Sequence, residues 1–156
     1  MFGRALFAFL TLPGVFAGII PALIVQADTQ RRAGWTSGYT MIGIGLLLLL
    51  WCVRDFLVSG HGTLAPWDPP KHLVIVGLYR FTRNPMYVSI SVLLTGWILA
   101  AGSTWLALYA LILVIGFHLR VVFYEEPRLE KQFGDEWKNY SSSVPRWFIR
   151  RSSRKE

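Results

Sequence analysis

The chain has 156 residues, of which 53% are hydrophobic and only 16% are charged, and its formal net charge is +7. Soluble domains carry roughly a quarter charged residues, so this composition, with a mean hydropathy of +0.42, excludes an ordinary soluble domain. Several apolar runs approach the roughly 20 residues that cross a bilayer. The single cysteine, Cys52, excludes an intramolecular disulfide and a cysteine-rich metal site.

The first apolar segment covers residues 5–26 and contains Pro13 and Pro21. It is too long for the apolar core of a signal peptide, so it is predicted to be a retained helix. Its prolines should kink the helix or open it locally. A polar loop follows over residues 27–38.

The second predicted span covers residues 39–58. Gly43 and Gly45 within it should let a neighbouring helix approach closely. Arg54 and Asp55 fall near its end, and a charge pair is costly inside a bilayer. They are therefore predicted to form a structural pair at the membrane interface.

The longest connection covers residues 59–84 and contains three prolines near its middle, which argue against a regular helix. Its two histidines, His61 and His72, have no partners at a metal-ligand spacing. Long ordered loops in small proteins are often functional, so a lid or substrate-entry role is predicted.

The third and fourth predicted helices cover residues 86–101 and 104–123. The turn at Gly102 and Ser103 is so short that the two helices must form an antiparallel hairpin. Residues 128–141 are predicted to form an amphipathic surface helix, because apolar residues recur there at spacings of three and four. The predicted fold is therefore a single all-α membrane domain over residues 1–156, with about four transmembrane helices and a C-terminal surface helix.

Residues 77–87, Gly-Leu-Tyr-Arg-Phe-Thr-Arg-Asn-Pro-Met-Tyr, stand directly before the third helix. Pro85 suits a first helical turn, and Asn84 is predicted to cap the free N–H groups there. Arg80 and Arg83 add positive charge to a helix start that is already partly positive. The alternative is a plain interfacial anchor, with arginines and tyrosines at the lipid headgroups.

The distribution of Lys and Arg predicts the orientation. The 59–84 loop and the tail together carry most of the Lys and Arg, and the tail from Lys138 to Glu156 holds six basic residues and one acid. Both should face the cytoplasm, with both termini inside and Gly102 outside, in a bacterial inner membrane.

Both ends of the 86–123 hairpin then lie on the same side, so residues 79–87 and 118–126 can meet in one pocket. Such a pocket would suit a zwitterionic small molecule together with an amphiphilic second ligand. A ring of interfacial salt bridges is the alternative; adjacent acids beside a membrane span are costly without a partner, which favours the site. The pocket would hold Arg80, Arg83, Asn84, Tyr87, His118, Arg120, Glu125 and Glu126.

The pattern Gly77-x-Tyr-Arg-x-x-Arg-Asn-Pro-x-Tyr87 resembles the GxYxxxRHPxY motif of the isoprenylcysteine carboxyl methyltransferase and phospholipid methyltransferase superfamily. The similarity covers roughly residues 72–148. The sequence departs from this motif at Asn84, where the family usually has histidine. Asparagine cannot act as an acid or base, so this position has no proton-transfer role. Further matches are Arg120, Glu125-Glu126, Leu129, Phe133-Gly134, Trp137, Tyr140 and Val144-Pro145-Arg146.

The resemblance implies an integral membrane enzyme that takes a methyl group from S-adenosyl-L-methionine at the cytoplasmic end of its helices. Glu125 would bind the ammonium group of the cofactor. Arg120 would orient a substrate carboxylate, and Glu126 or His118 would be the base for an amine substrate. No metal is expected. The rest of the cofactor site would be Gly77, Tyr79, Arg83, Asn84, Pro85 and Tyr87.

The resulting prediction is methyl transfer to a lipophilic acceptor, with carboxyl O-methylation of an isoprenylcysteine-like group as the first choice. N-methylation of a phospholipid amine stays open, and so does methylation of a small lipophilic thiol or acid. So does a non-catalytic membrane scaffold that keeps the fold. The predicted partners are a lipophilic or lipid acceptor and membrane lipids, without nucleic acid.

Overall fold

The structure is a computed structural model that describes residues 10–30, 32–60 and 72–147, and the regular elements within these ranges are all helical. The predicted all-α fold is thereby confirmed for this part of the chain. His61, the three loop prolines and the end of the basic tail lie outside it. The elements are a π-helix Leu10–Ile19, α1 Ile20–Ala27, α2 Ser37–Gly60, a 3-10 turn Gly77–Arg80, α3 Pro85–Ala101, α4 Thr104–Arg120, a π-helical turn Val121–Glu125, α5 Glu126–Phe133 and α6 Asp135–Ser143.

Two helical stretches, Ser37–Phe56 and Thr104–Phe133, are long and apolar enough to cross a membrane. Only 28% and 17% of their most apolar windows are buried, whereas the core helix of a soluble protein would be mostly buried. Their apolar side chains therefore face outward, as lipid contact requires. Two further apolar helices, Pro13–Ala27 and Pro85–Ala101, are shorter. Of the roughly four predicted spans, two are candidate membrane spans by length and composition in the described residues, and four are not confirmed.

The prolines of the first segment lie in two differently wound stretches, and the predicted kink stays a prediction. Pro13 lies inside the π-helix, where the wider turn changes the hydrogen-bonding pattern of the backbone. Pro21 lies in the first turn of α1, where its missing N–H is not needed.

Helices α2 and α3 pack closely through glycines. A Cβ added at Gly45 would lie 2.6 Å from the backbone nitrogen of Leu93, and one at Gly96 would lie 2.6 Å from that of Ile42. The prediction of close approach is confirmed at Gly45 and wrong at Gly43, where a Cβ would meet nothing within 4 Å. The reason is that positions two apart on an α-helix point to opposite sides.

The turn between α3 and α4 is held by the 27–38 loop. The Ser103 hydroxyl donates to the Asp28 carboxylate and accepts a hydrogen bond from the Leu106 N–H, which caps α4. The Arg32 N–H donates to the Gly102 carbonyl at 3.2 Å. The antiparallel hairpin is confirmed, and its opposite end carries residues 77–87 and the segment after Arg120.

The surface helix predicted over 128–141 requires a correction, because it is divided into α5 and α6 at Gly134. The predicted apolar face is nevertheless confirmed. Trp137, Tyr140 and Val144 form a buried cluster, and Leu73, Leu129 and Phe133 pack against it. This cluster fixes α6 beside the start of the 77–87 segment.

Candidate functional site

The two ends of the α3–α4 hairpin meet at Glu125. The Tyr87 hydroxyl donates to Glu125 Oε1 at 2.5 Å, and Arg120 Nε donates to the same oxygen at 2.7 Å. Tyr87 and Glu125 are 38 residues apart in the chain. The predicted meeting of residues 79–87 with 118–126 is thereby confirmed.

The π-helical turn Val121–Glu125 brings the side chains of Arg120 and Glu125 to the same side of the helix. Residues five apart lie on different faces of an α-helix, but they lie nearly above one another where the backbone bonds from i to i+5. Nothing in the sequence pattern predicted this turn, because the apolar run continues through it.

Glu126 binds two arginines. Arg83 Nη1 lies 2.8 Å from Glu126 Oε1. Arg146 donates from Nε to Oε1 at 2.9 Å and from Nη2 to Oε2 at 2.7 Å, which is the two-pronged geometry typical of a strong ion pair. Burial lowers the pKa of Arg83, and Glu126 opposes that shift. Arg146 was missing from the predicted site, although the Val-Pro-Arg match in the resemblance pointed to it.

Residues 144–147, here called the C-terminal strap, cross over the 77–87 segment. The Arg83 N–H donates to the Pro145 carbonyl at 2.9 Å, and the Thr82 hydroxyl donates to the Arg146 carbonyl at 3.0 Å. The Asn84 side-chain NH₂ donates to the same Arg146 carbonyl at 3.1 Å. The strap is therefore bound largely through its backbone.

Asn84 requires a correction as a helix cap. It occupies the residue before α3, but its side chain makes no capping hydrogen bond and is directed to the strap instead. Pro85 lies in the first turn of α3 as predicted.

Aromatic side chains form a wall beside Glu125. Tyr87 stacks on Phe117, with ring centroids 4.5 Å apart. Trp147 Nε1 donates to His118 Nδ1 at 3.2 Å, which assigns the proton of a neutral His118 to Nε2. The wall joins both ends of the hairpin to the strap.

Tyr79 is buried in a cluster with Cys52 and Val74. The Tyr140 hydroxyl donates to the Tyr79 carbonyl at 2.6 Å. Burial raises the pKa of both tyrosines, so their hydroxyls remain protonated donors. The Tyr79 hydroxyl itself has no hydrogen-bond partner in the described part of the chain.

Gly77 lies against Asp55 at the end of α2. Its φ is +53°, and a Cβ at this position would overlap Asp55 Oδ2. The predicted pair is present, with Arg54 Nη1 3.5 Å from Asp55 Oδ1. The two side chains differ in environment, because Arg54 is 75% exposed and Asp55 is buried.

The structure brings most of the predicted site residues to one end of the helices. Arg80 is the exception, since it lies exposed at the end of the 3-10 turn. Over the described ranges no group of three or more His, Cys, Asp or Glu residues could hold a metal ion. The residues brought together are Gly77, Tyr79, Arg83, Asn84, Pro85, Tyr87, His118, Arg120, Glu125 and Glu126.

The described chain therefore combines helices that are long and apolar enough to cross a membrane with a cluster of charged and aromatic side chains at one end of them. The chain belongs to the phospholipid methyltransferase family, whose model matches residues 34–136. This confirms the resemblance to the isoprenylcysteine and phospholipid methyltransferase superfamily, and the family is one of membrane methyltransferases. An uncharacterized protein of Haemophilus influenzae is 39% identical over 64 residues, which cover 40% of this chain and 98% of that protein. No solved structure matches the chain significantly.

Proposed function

We propose that the protein transfers a methyl group from S-adenosyl-L-methionine to a lipophilic acceptor at the cytoplasmic face of the membrane. The observation that carries the proposal is the contact of Tyr87 and Arg120 with one oxygen of Glu125. It places a carboxylate, a guanidinium and an aromatic wall at one end of an apolar hairpin, in a chain of a methyltransferase family.

The side chains around Gly77 fit such a cofactor. Three buried polar atoms have no hydrogen-bond partner within the described residues, namely Asp55 Oδ2, Tyr79 Oη and Arg83 Nε. Buried polar atoms in folded proteins are normally paired, so these are groups that a polar ligand would satisfy. Acceptors and donors are both present, which suits a zwitterion.

The cofactor supplies an already activated methyl group on a sulfonium. The protein therefore has to bind the cofactor, orient the acceptor and exclude water. Glu125 would hold the ammonium group through a charge-assisted hydrogen bond. The strap, held by Arg83 and Asn84, covers this end of the site. The remaining residues proposed to line the cofactor are Gly77, Tyr79, Pro85 and Tyr87.

A carboxylate is the first candidate for the acceptor. Arg120 bonds to Glu125 through Nε, and its side chain is 46% exposed, so part of the guanidinium is accessible to a second anion. A guanidinium holds a carboxylate in a planar, two-pronged geometry. A carboxylate is also ionised at neutral pH and needs no base.

A phospholipid amine is the second candidate, and the family description favours it. An ammonium group must lose a proton before it can accept a methyl group, which requires a base. Both oxygens of Glu126 already accept from guanidinium groups, and His118 Nδ1 already accepts from Trp147. These contacts favour the carboxylate over the amine.

The proposal is tested with purified protein in detergent or lipid. Labelled S-adenosyl-L-methionine is titrated in, and methyl transfer is then measured to a prenylcysteine analogue and to phosphatidylethanolamine. We expect saturable binding and transfer to the prenylcysteine analogue. Transfer to phosphatidylethanolamine alone would establish the second candidate, and a non-catalytic scaffold would show no saturable binding.

A further inference from the structure

Asp55 is the buried acid of the described helices, with an exposed fraction of 8%. Its ion pair with Arg54 is weak compensation, because Arg54 lies at the surface and the two atoms are 3.5 Å apart. A buried carboxylate without good partners is costly. The cost indicates that Asp55 has a role that Arg54 does not supply.

The second oxygen of Asp55 faces the turn at Gly77 rather than Arg54. A Cβ on Gly77 would overlap Asp55 Oδ2 and lie 3.2 Å from Trp51 Nε1. Any larger residue at position 77 would therefore displace the carboxylate. Gly77 and Asp55 are therefore in direct contact, and these two residues are here called the Asp55 wall.

Two orphaned polar atoms belong to the Asp55 wall and to the 3-10 turn that contains Gly77. Asp55 Oδ2 and the Tyr79 hydroxyl are both buried, and neither has a hydrogen-bond partner in the described part of the structure. One is an acceptor and the other is a donor as well as an acceptor. A polar ligand group with hydroxyls would satisfy both.

The 77–87 segment connects the Asp55 wall to Glu125. Gly77 packs against Asp55, and Tyr79 lies in the same 3-10 turn as Gly77. Tyr87, further along the segment, donates to Glu125 Oε1. A ligand with an ammonium group at one end and a hydroxylated sugar at the other could reach both acids along this segment.

We propose that Asp55 is a ligand-binding residue of the site and accepts a hydrogen bond from a ribose hydroxyl of the cofactor's nucleoside. This inference rests on the proposed function, since it names a further contact to the same cofactor. A neutral hydroxyl leaves the contact between Asp55 and Arg54 in place, while Glu125 takes the ammonium group.

The test separates the two acids with two probes. S-adenosylhomocysteine carries both the amino-acid part and the ribose, whereas 5′-methylthioadenosine carries the ribose without the amino-acid part. Binding of each is measured by calorimetry on the full chain in detergent. Asp55→Asn should weaken both probes about tenfold, as expected when a hydrogen bond to a charged group is lost. Glu125→Gln should weaken only S-adenosylhomocysteine.

Arg54→Ala is the matched control, because it removes the partner of Asp55 at the surface and leaves the carboxylate in place. It should bind both probes as the wild type does. If Arg54→Ala and Asp55→Asn lose affinity equally, the ion pair and not a ligand contact explains Asp55, and the inference is overturned.

A second measurement does not depend on the folding of the Asp55 variant. The wild-type protein should bind the 2′-deoxy or the 3′-deoxy form of methylthioadenosine more weakly than the parent compound. Equal affinity for all three, or an Asp55→Asn effect confined to S-adenosylhomocysteine, would overturn the ribose assignment. A wild-type protein that binds neither probe would instead overturn the proposed function, and with it this inference.

Discussion

Glu126 and Arg146 form a two-pronged ion pair across 20 residues, with N–O distances of 2.9 and 2.7 Å. The pair joins the start of α5 to the C-terminal strap, and Arg83 completes it from the other side at 2.8 Å. Glu126 is therefore the point at which three separate parts of the chain are held together. Its described contacts are those of a residue that positions the strap.

Arg146→Ala should loosen the strap, although the backbone hydrogen bonds of the strap remain. We expect a loss of about 1.5–3 kcal/mol in stability, because a hydrogen-bonded and partly buried charge loses its partner. Hydrogen exchange at residues 144–147 should rise as well. Arg146→Lys should recover only part of the loss, since lysine cannot donate in the two-pronged geometry.

The control for this prediction is Lys138→Ala. Lys138 pairs with Asp135 at 3.6 Å, but both side chains are exposed, so the change should cost less than about 1 kcal/mol. Equal stability of Arg146→Ala and wild type would show that the backbone contacts of the strap suffice.

Glu125→Gln should weaken binding of S-adenosyl-L-methionine by about 1.5–3 kcal/mol, because it removes the charge but keeps the shape. The Tyr87 hydroxyl can still donate to the amide oxygen, so the hairpin should fold. Calorimetric titration measures the effect, with the exposed Glu130→Gln as the matched change. If the affinity were unchanged, Glu125 would have only a structural role, as the ion-pair partner of Arg120.

Arg120→Lys should leave cofactor affinity nearly intact and strongly reduce methyl transfer to a carboxylate acceptor, since lysine cannot form the planar grip. Arg120→Ala should reduce transfer at least as much. Both variants are assayed with a prenylcysteine analogue and with phosphatidylethanolamine. If both lose cofactor affinity equally, Arg120 serves the cofactor or the fold, and the carboxylate assignment is abandoned.

Gly45→Ala should destabilise the packing of α2 on α3 by about 1–3 kcal/mol, because the added methyl group would overlap the backbone at Leu93. Gly43→Ala is the matched control in the same helix. It meets nothing and should be neutral or stabilising by up to about 1 kcal/mol through helix propensity. Thermal unfolding in detergent compares them, and equal midpoints would contradict the described packing.

The predicted orientation can be tested at the α3–α4 turn. Ser103 is buried and caps α4, so the neighbouring exposed residue Thr104 is the better site for a probe. Thr104→Cys in a Cys52→Ser background should react with an impermeant reagent added to intact cells. Labelling only after lysis would place the turn inside and reverse the arrangement.

The sequence predicted the helical hairpin because long apolar runs and a two-residue turn allow little else. It also predicted that Tyr87 and Glu125 meet, since both ends of a hairpin lie on one side. It did not predict how Arg120 reaches Glu125, because the π-helical turn leaves no mark in hydrophobic periodicity. A residue pattern fixes the helix but not a local change in its winding.

Other differences have the same kind of origin. Asn84 is a good capping residue by type, yet its side chain bonds to the strap, which is 62 residues away in the chain. The burial of Asp55 depends on the 3-10 turn that brings Gly77 against it. Both depend on long-range contacts, which local preferences do not contain.

The strap is held chiefly by two of its own peptide carbonyls, those of Pro145 and Arg146. Every amino acid has a backbone carbonyl, so these hydrogen bonds do not depend on which side chains the strap carries. The family match, which depends on residue identities, ends at residue 136. A protein shortened at that boundary would keep the matched region and lose every contact of the strap described above.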